Sequence, residues 1–214
     1  LPPTRITAFI TRKVQYSESD LILTLLSREE GRIDAIARGA RKSRKRFEAG
    51  LSYYMMYEGT VSRRRESSLW FLQDLTVIQM YPTLLEDYTK LSTAAYGTEL
   101  AREMAPPHQE NEPLFTLLTT FYESLDASPS APHLIPWLQY NMLAWSGYIP
   151  HAHECSSCHA GGSPDQQWTL SPVDGALLCD ACSLPHMKRQ PWDNFQWLFT
   201  HPPPEPEPSI AREL

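Results

Sequence analysis

Arg38-Gly39-Ala40-Arg41-Lys42-Ser43-Arg44-Lys45-Arg46-Phe47 is the stretch on which the reading of this chain turns: six of its first nine residues are cationic and none is acidic. It follows an alternating run, Arg32-Ile33-Asp34-Ala35-Ile36-Ala37, and precedes an aromatic one, Leu51-Ser52-Tyr53-Tyr54-Met55-Met56-Tyr57. Two β-rich runs flanking a polar segment read as strand, loop, strand. A cationic run of this kind is often no more than a solvated face. This one is interior to the chain, and Gly39, Ala40 and Ser43 leave backbone amides that can approach an anion closely. It reads as a place to hold phosphate.

Working outward, the period on the N-terminal side is two. Ile6, Ala8 and Ile10 alternate with Arg5, Thr7, Phe9 and Thr11; Leu21 to Leu26 is a β-rich apolar run; Glu29-Glu30-Gly31 turns the chain into the run from Arg32 to Ala37. Beyond the basic loop, Leu51 to Val61 makes a fourth strand, Arg63-Arg64-Arg65-Glu66-Ser67-Ser68 a polar connection and Leu69 to Met80 a fifth strand. Five consecutive short strands suit a small closed or nearly closed barrel, because an open sheet of that size would leave edges exposed.

At Tyr81-Pro82 the period changes. Leu84, Leu85, Tyr88, Leu91, Ala95 and Met104 mark one face of a helix that starts near Pro82 and ends at Pro106-Pro107. A second helix is expected over 112–125 and a third over 132–146, with Gly147 as its stop. Their aromatic stripes read as core. The expected architecture is α+β and multidomain: a barrel domain over 1–81, a helical domain over 82–150, a cysteine module over 151–187 and a C-terminal segment over 188–214. In that last segment Trp192, Phe195, Leu198 and Phe199 suit a docking turn, and Pro202 to Pro208 is extended.

The net charge of −6 hides a division. Residues 1–80 hold 14 Lys or Arg against 9 Asp or Glu, whereas residues 81–214 hold 5 against 16. The front of the chain is a cation and the back an anion, so DNA is expected at the front and protein partners at the back. No apolar run approaches the roughly 20 residues that span a bilayer, and the start lacks a signal-peptide pattern. A cytoplasmic location is expected.

All four cysteines fall in two pairs, Cys155-Ser156-Ser157-Cys158 and Cys179-Asp180-Ala181-Cys182. C-x2-C, about twenty residues, C-x2-C is the spacing of a tetrahedral thiolate zinc site. The other reading, two disulfides, needs an oxidising compartment that nothing else in the sequence supports. A four-sulfur site leaves no open position for water or substrate, so the expected single zinc ion is structural. His151, His153 and His159 lie close by and read as bystanders.

Three enzyme classes are disfavoured. A zinc nucleobase deaminase needs His-x-Glu with Pro-Cys-x-x-Cys, whereas His151-Ala152-His153-Glu154 has another spacing and neither cysteine pair follows a proline. No phosphate-cradling glycine loop or Gly-x-Ser-x-Gly element appears. A zinc-ribbon adaptor working only through protein contacts stands as the alternative to a DNA-binding protein.

These features together resemble the RecO family of bacterial recombination mediators. The likeness rests on Tyr16-Ser17-Glu18-Ser19-Asp20 leading into Leu21 to Leu26, on Gly31-Arg32-Ile33, on the Gly-Ala-Arg-Lys element within Arg38 to Phe47, and on Gly147-Tyr148-Ile149-Pro150 leading into the cysteine pairs. It implies an N-terminal five-stranded OB-fold β-barrel, a helical middle and C-terminal domain with an inserted four-cysteine zinc module, and no enzymatic activity. It also implies binding to single- and double-stranded DNA, strand annealing, contact with the single-stranded DNA-binding protein, and action with RecR in loading the recombinase during repair of gaps and breaks. Nucleoid association in the cytoplasm goes with that role; neither a membrane nor a small-molecule substrate does. Carried over by position, DNA contact falls on Arg38, Arg41, Lys42, Arg44, Lys45 and Arg46, and metal binding on Cys155, Cys158, Cys179 and Cys182. The family continues with helices after the second cysteine pair, where this sequence turns to Pro185, Pro191 and a Pro-Glu run. The likeness therefore assigns no residue to the single-stranded DNA-binding protein.

The mechanism this suggests is a barrel groove with phosphate contacts from the loop, extended by Arg63, Arg64 and Arg65, and stacking surfaces from Tyr53, Tyr54, Tyr57, Trp70 and Phe71. Alternation should bury about half of those rings.

Overall fold

The computed structural model describes residues 2–43, 46–47, 51–63, 69–128, 133–148, 154–162, 166–171, 173 and 175–191. Its first five strands are β1 (Thr4–Gln15), β2 (Leu21–Ser27), β3 (Gly31–Ala37), β4 (Met55–Ser62) and β5 (Trp70–Met80). They form a closed barrel in the order β1-β2-β3-β5-β4, with β4 returning to β1. This is the OB-fold arrangement inferred above. Every contact is antiparallel except β3 with β5, where Ala35, Ile36 and Ala37 face Trp70, Phe71 and Leu72 in parallel. Register shifts that leave Thr11 of β1 and Gln73 and Ile78 of β5 without a partner in the ladder supply the local bends that closure needs.

The alternation read from the sequence fills the barrel. Ile6, Ala8, Ile10, Leu23, Leu25, Ile33, Ala35 and Ala37 point inward and are buried together. Phe47 and Leu51 join them from the loop between β3 and β4, and the Leu75 N–H donates to the Arg46 carbonyl at 2.8 Å. The basic loop is thus stitched to the barrel at its far end. The fourth strand starts at Met55 and not at Leu51, because Leu51 (φ 55°) and Tyr54 (φ 58°) are left-handed and cannot extend a ladder.

The parallel seam is short, and an outside segment completes it. Pro107 bridges Arg32, and the His108 N–H donates to the Arg32 carbonyl at 3.1 Å. Gly31 is what admits this segment: its φ is +63°, and a Cβ there would collide with the Gln109 carbonyl.

Phe9, on the other face of β1, is buried too. Its ring stacks on Phe115 and meets Tyr122 edge-on, each at 5.1 Å between centroids. The helices there are α1 (Thr83–Glu86), α2 (Tyr88–Met104) and α3 (Glu112–Ala127). α3 buries Leu114, Phe115, Leu117, Leu118, Phe121, Tyr122 and Leu125, the stripe expected of it, and starts with the Asn111 side chain accepting from the Leu114 N–H.

The helix read from Pro82 needs correction. Asp87 is extended and caps a new helix by accepting from the Lys90 N–H at 2.9 Å, so α1 and α2 are separate. The buried face of α2 is then Thr93, Ala94, Gly97, Thr98 and Ala101, while Leu85, Tyr88 and Ala95 are exposed. Small residues let α2 approach α3 closely, and the Thr98 hydroxyl lies 2.6 Å from that of Tyr122.

The chain divides into two compact units, residues 1–129 and 130–214. The second holds α4 (Leu134–Trp145), which buries Leu134, Trp137, Leu138 and Met142. It also holds a three-stranded sheet of β6 (Gln167–Leu170), β7 (Leu177–Cys179) and β8 (Gln190–Pro191) in the order β7-β6-β8. The segment around Trp192 to Phe199 and the Pro-Glu run lie outside the described residues. No helix among the described residues is long and apolar enough to cross a membrane.

Candidate functional site

The basic loop leaves β3 at Ala37 and turns at once. Gly39 (φ +66°) opens the turn, and the Lys42 and Ser43 N–H groups both donate to its carbonyl at 3.0 Å. Its own N–H donates to Asp20 Oδ1 at 2.8 Å. That bond, against a smaller opposing effect of burial and with help from Ser19, Ser17 and the charge of Arg38, holds the Asp20 carboxyl below its usual range.

The cations of the loop divide into two kinds. Arg46 is a brace: its Nη2 donates to the Arg38 carbonyl at 2.7 Å, its Nε to Ser43 Oγ at 3.4 Å, and its guanidinium lies over the Phe47 ring. Arg41 donates to the Glu18 carbonyl at 3.2 Å. Arg38 lies over Phe71, 5.1 Å from the ring centroid. Lys42 is exposed, and its ammonium has no partner among the described residues. None of these four is in an ion pair among the described residues. Arg63 lies 5.7 Å over the Trp70 ring. Arg44, Lys45, Arg64 and Arg65 fall outside the described residues.

Of the rings considered for stacking, Tyr57 and Trp70 are buried in the barrel, so they offer no face to a base; Tyr53, Tyr54 and Phe71 are half-buried. The Trp70 indole N–H instead donates to His108 Nδ1 at 3.4 Å.

No motif in the sequence announces a polar cavity of about 270 Å³ that Arg12, Arg32, Asp34, Arg102, Glu103 and His108 help to line. Arg102 pairs there with Glu99 at 3.4 Å and Glu103 at 2.9 Å, and Arg32 donates to the Arg102 carbonyl at 2.8 Å. Its lining sets three arginines against the carboxylates of Asp34 and Glu103, with Glu99 outside the lining engaging Arg102 as well.

In the second unit the two cysteine pairs converge: the four sulfurs all lie within 4.8 Å of one another. Each pair sits on a tight turn. The His159 N–H donates to the Cys155 carbonyl at 2.8 Å, and the Cys182 N–H to the Cys179 carbonyl at 3.1 Å. The Ser156 N–H donates to the Leu177 carbonyl at 2.9 Å and ties one turn to β7, which carries the other. All four are free thiols, and Cys158 and Cys179 are 3.7 Å apart at sulfur. A disulfide would bring them to about 2.05 Å; sulfurs around a tetrahedral zinc, each about 2.3 Å from the ion, stand about 3.8 Å apart. The donor set and its spacing fit that metal. Burial alone would raise the Cys155 thiol, but the N–H groups of Cys179, Cys158 and Ser157 outweigh it and bring the thiol down to about 6. His159 pairs with Glu154 at 3.1 Å, whereas His151 and His153 lie outside the described residues.

Comparison with known proteins agrees with this anatomy. The family model "Recombination protein O N terminal" matches residues 3–81, and "Recombination protein O C terminal" matches residues 85–194. A "DNA repair protein RecO" from Anaeromyxobacter sp. (strain K) is 34% identical over 84% of this chain and 70% of its own length. The protein of the same name from Myxococcus xanthus is 32% identical over 83% of this chain and 71% of its own. That from Pelobacter propionicus is 33% identical, over 85% and 72%. With both halves of the chain matched in order, and the barrel and cysteine cluster where those halves lie, this chain belongs to the RecO family of DNA repair and recombination proteins.

Proposed function

We propose that this chain is a non-enzymatic recombination mediator that binds DNA, anneals complementary single strands and helps to load the recombinase at gaps and breaks. The observation that carries this reading is the basic loop itself, held against the barrel with no ion pair at Arg38, Arg41, Lys42 or Arg46 among the described residues. Such charges are available to phosphate. In the sequence, Arg44 and Lys45 continue the same cationic run, and Arg63, Arg64 and Arg65 follow β4 as candidates for further phosphate contact. Residues 1–81 are then the DNA-binding domain, 82–150 the helical domain, 151–187 the zinc module and 188–214 a C-terminal segment.

One zinc ion held by Cys155, Cys158, Cys179 and Cys182 supplies no chemistry beyond tying two turns together. Apparent binding energies for such sites, about 10 to 16 kcal/mol, are enough to order a segment with little apolar content. The acidic residues of 81–214 would meet protein partners, for which RecR and the single-stranded DNA-binding protein are our candidates. A protein in this role works in the cytoplasm, at the nucleoid.

If the loop neutralises about four to six phosphates, log affinity for single strands falls against log salt with a slope of roughly −3 to −4. The test is a gel shift with a short oligonucleotide at two salt concentrations. Changing Arg41, Lys42, Arg44 and Lys45 together to Ala should weaken binding severely and flatten the slope. Unchanged binding would overturn the reading and leave the protein-contact adaptor in its place. Annealing of complementary strands precoated with their binding protein checks the mediator role.

A further inference from the structure

The run Tyr16-Ser17-Glu18-Ser19-Asp20 between β1 and β2 holds no cation, and the function above gives it no task. Its position is set by the ladder: Leu21 of β2 pairs with Ala37 of β3, so the residues just before Leu21 face those just after Ala37. Those are the first residues of the basic loop.

The run is itself closed. The N–H groups of Asp20 and Ser19 donate to Ser17 Oγ at 3.0 and 3.3 Å, and the Tyr16 N–H donates to the Asp20 carbonyl at 3.1 Å. The Ser19 hydroxyl then donates to Asp20 Oδ1 at 3.0 Å and aims the carboxylate. From this frame three bonds cross to the basic loop: Asp20 Oδ1 accepts from the Gly39 N–H at 2.8 Å, the Ser19 carbonyl from the Arg41 N–H at 3.2 Å, and the Glu18 carbonyl from the Arg41 guanidinium at 3.2 Å. A loop rich in like charges repels itself, and this frame and the Arg46 brace oppose that repulsion at its start.

We propose that Asp20 is a positioning residue for nucleic acid: its carboxylate, by holding the Gly39 amide, fixes the turn that presents Lys42 to phosphate. The inference rests on the DNA-binding reading above. It also makes an unusual demand of a carboxylate beside a phosphate site, since charge alone says that removing Asp20 should strengthen binding.

That opposition gives the test. Asp20→Asn and Asp20→Ala lose the same negative charge, but only Asn keeps an oxygen to accept from Gly39. Affinity of the whole protein for a fluorescein-labelled oligo-dT of about 20 nucleotides is measured by anisotropy, with the thermal midpoint and the rate of tryptic cleavage within residues 38–46 measured alongside. The expected result is that Asp20→Ala binds several-fold more weakly than wild type and is cut faster in the loop, at a nearly unchanged midpoint. Asp20→Asn binds at least as tightly as wild type. If both variants bind more tightly to the same degree, or if Asp20→Ala frees the loop without loss of affinity, the positioning role is overturned while the DNA-binding reading stands. If wild type does not bind the oligonucleotide, that reading falls and takes the inference with it.

Discussion

The ring of Phe9, on the outer face of β1, stacks on that of Phe115 in α3 at 5.1 Å and 29°. It joins the barrel to the helical layer, with Tyr122 edge-on and Tyr81 beyond. Large aromatic residues truncated in a core typically cost about 3 to 5 kcal/mol. Phe9→Ala should lower the denaturant midpoint accordingly, whereas Phe9→Leu should cost clearly less.

Gly31 carries two demands at once, a positive φ and the near approach of the Gln109 carbonyl. Backbone strain at a left-handed site and overpacking each cost on the order of 1 to 3 kcal/mol. Gly31→Ala should therefore destabilise the first unit by about 2 to 4 kcal/mol. Amides of the 107–109 segment should show faster hydrogen exchange, and an unaltered exchange pattern would contradict the packing described.

Lys42 and Arg46 should part company on mutation. Lys42→Ala removes a free cation, so the salt slope for single strands should flatten by about 0.7 with no change in melting. Arg46→Ala removes a brace, and the loop should become more accessible to protease as well as weaker for DNA. Arg46→Lys should fail to rescue it, because an ammonium cannot bond Arg38 and Ser43 with a planar fork.

Metal analysis should find one zinc per chain, released when the thiols are titrated with a mercurial. Trp168 is fully buried in the module and pairs with Cys179 across β6 and β7, so zinc release should red-shift and quench its emission. A Trp168→Phe control isolates that signal. The barrel, in the other unit, should keep its exchange protection.

Tyr122 is buried, and burial pushes its phenol well above the ordinary value despite the opposing bond from Thr98. Burial likewise raises Tyr57 to about 12, with the Ser52 carbonyl as its hydrogen-bond partner. A phenol whose folded value is raised stabilises the fold below the unfolded value, near 10, and loses that contribution as pH climbs from there through the folded value. The thermal midpoint should hold steady to about pH 9 and fall above about pH 10. Tyr122→Phe should fall less steeply, starting about 1 kcal/mol lower because the Tyr122–Thr98 bond is lost while Thr98 keeps its bond to the Ala94 carbonyl.

The strands were legible because each buries at least one face, so period two is written into Ile6, Ala8 and Ile10 and into Leu23 and Leu25. α3 was legible for the same reason, its stripe being made of large apolar side chains. α2 misled because it buries small residues, which pattern reading does not count as a face. The break at Asp87 is a local capping event that an otherwise continuous helical pattern conceals.

Local chemistry was decided by the sequence alone: five strands, a cationic loop after the third, and two cysteine pairs at the spacing of one metal. Such features rest on neighbours along the chain, whose separation the backbone itself sets. What only the tertiary structure decided is which groups face each other across distance. Asp20 meets Gly39 because β2 and β3 are paired in one register, and Gly31 meets Gln109 because the chain returns after α2 to close a seam. Nothing in either neighbourhood announces the other. The free energy that selects those pairings comes from burying the barrel core as a whole, so the contrast between the braced Arg46 and the exposed Lys42 exists only once that core has formed.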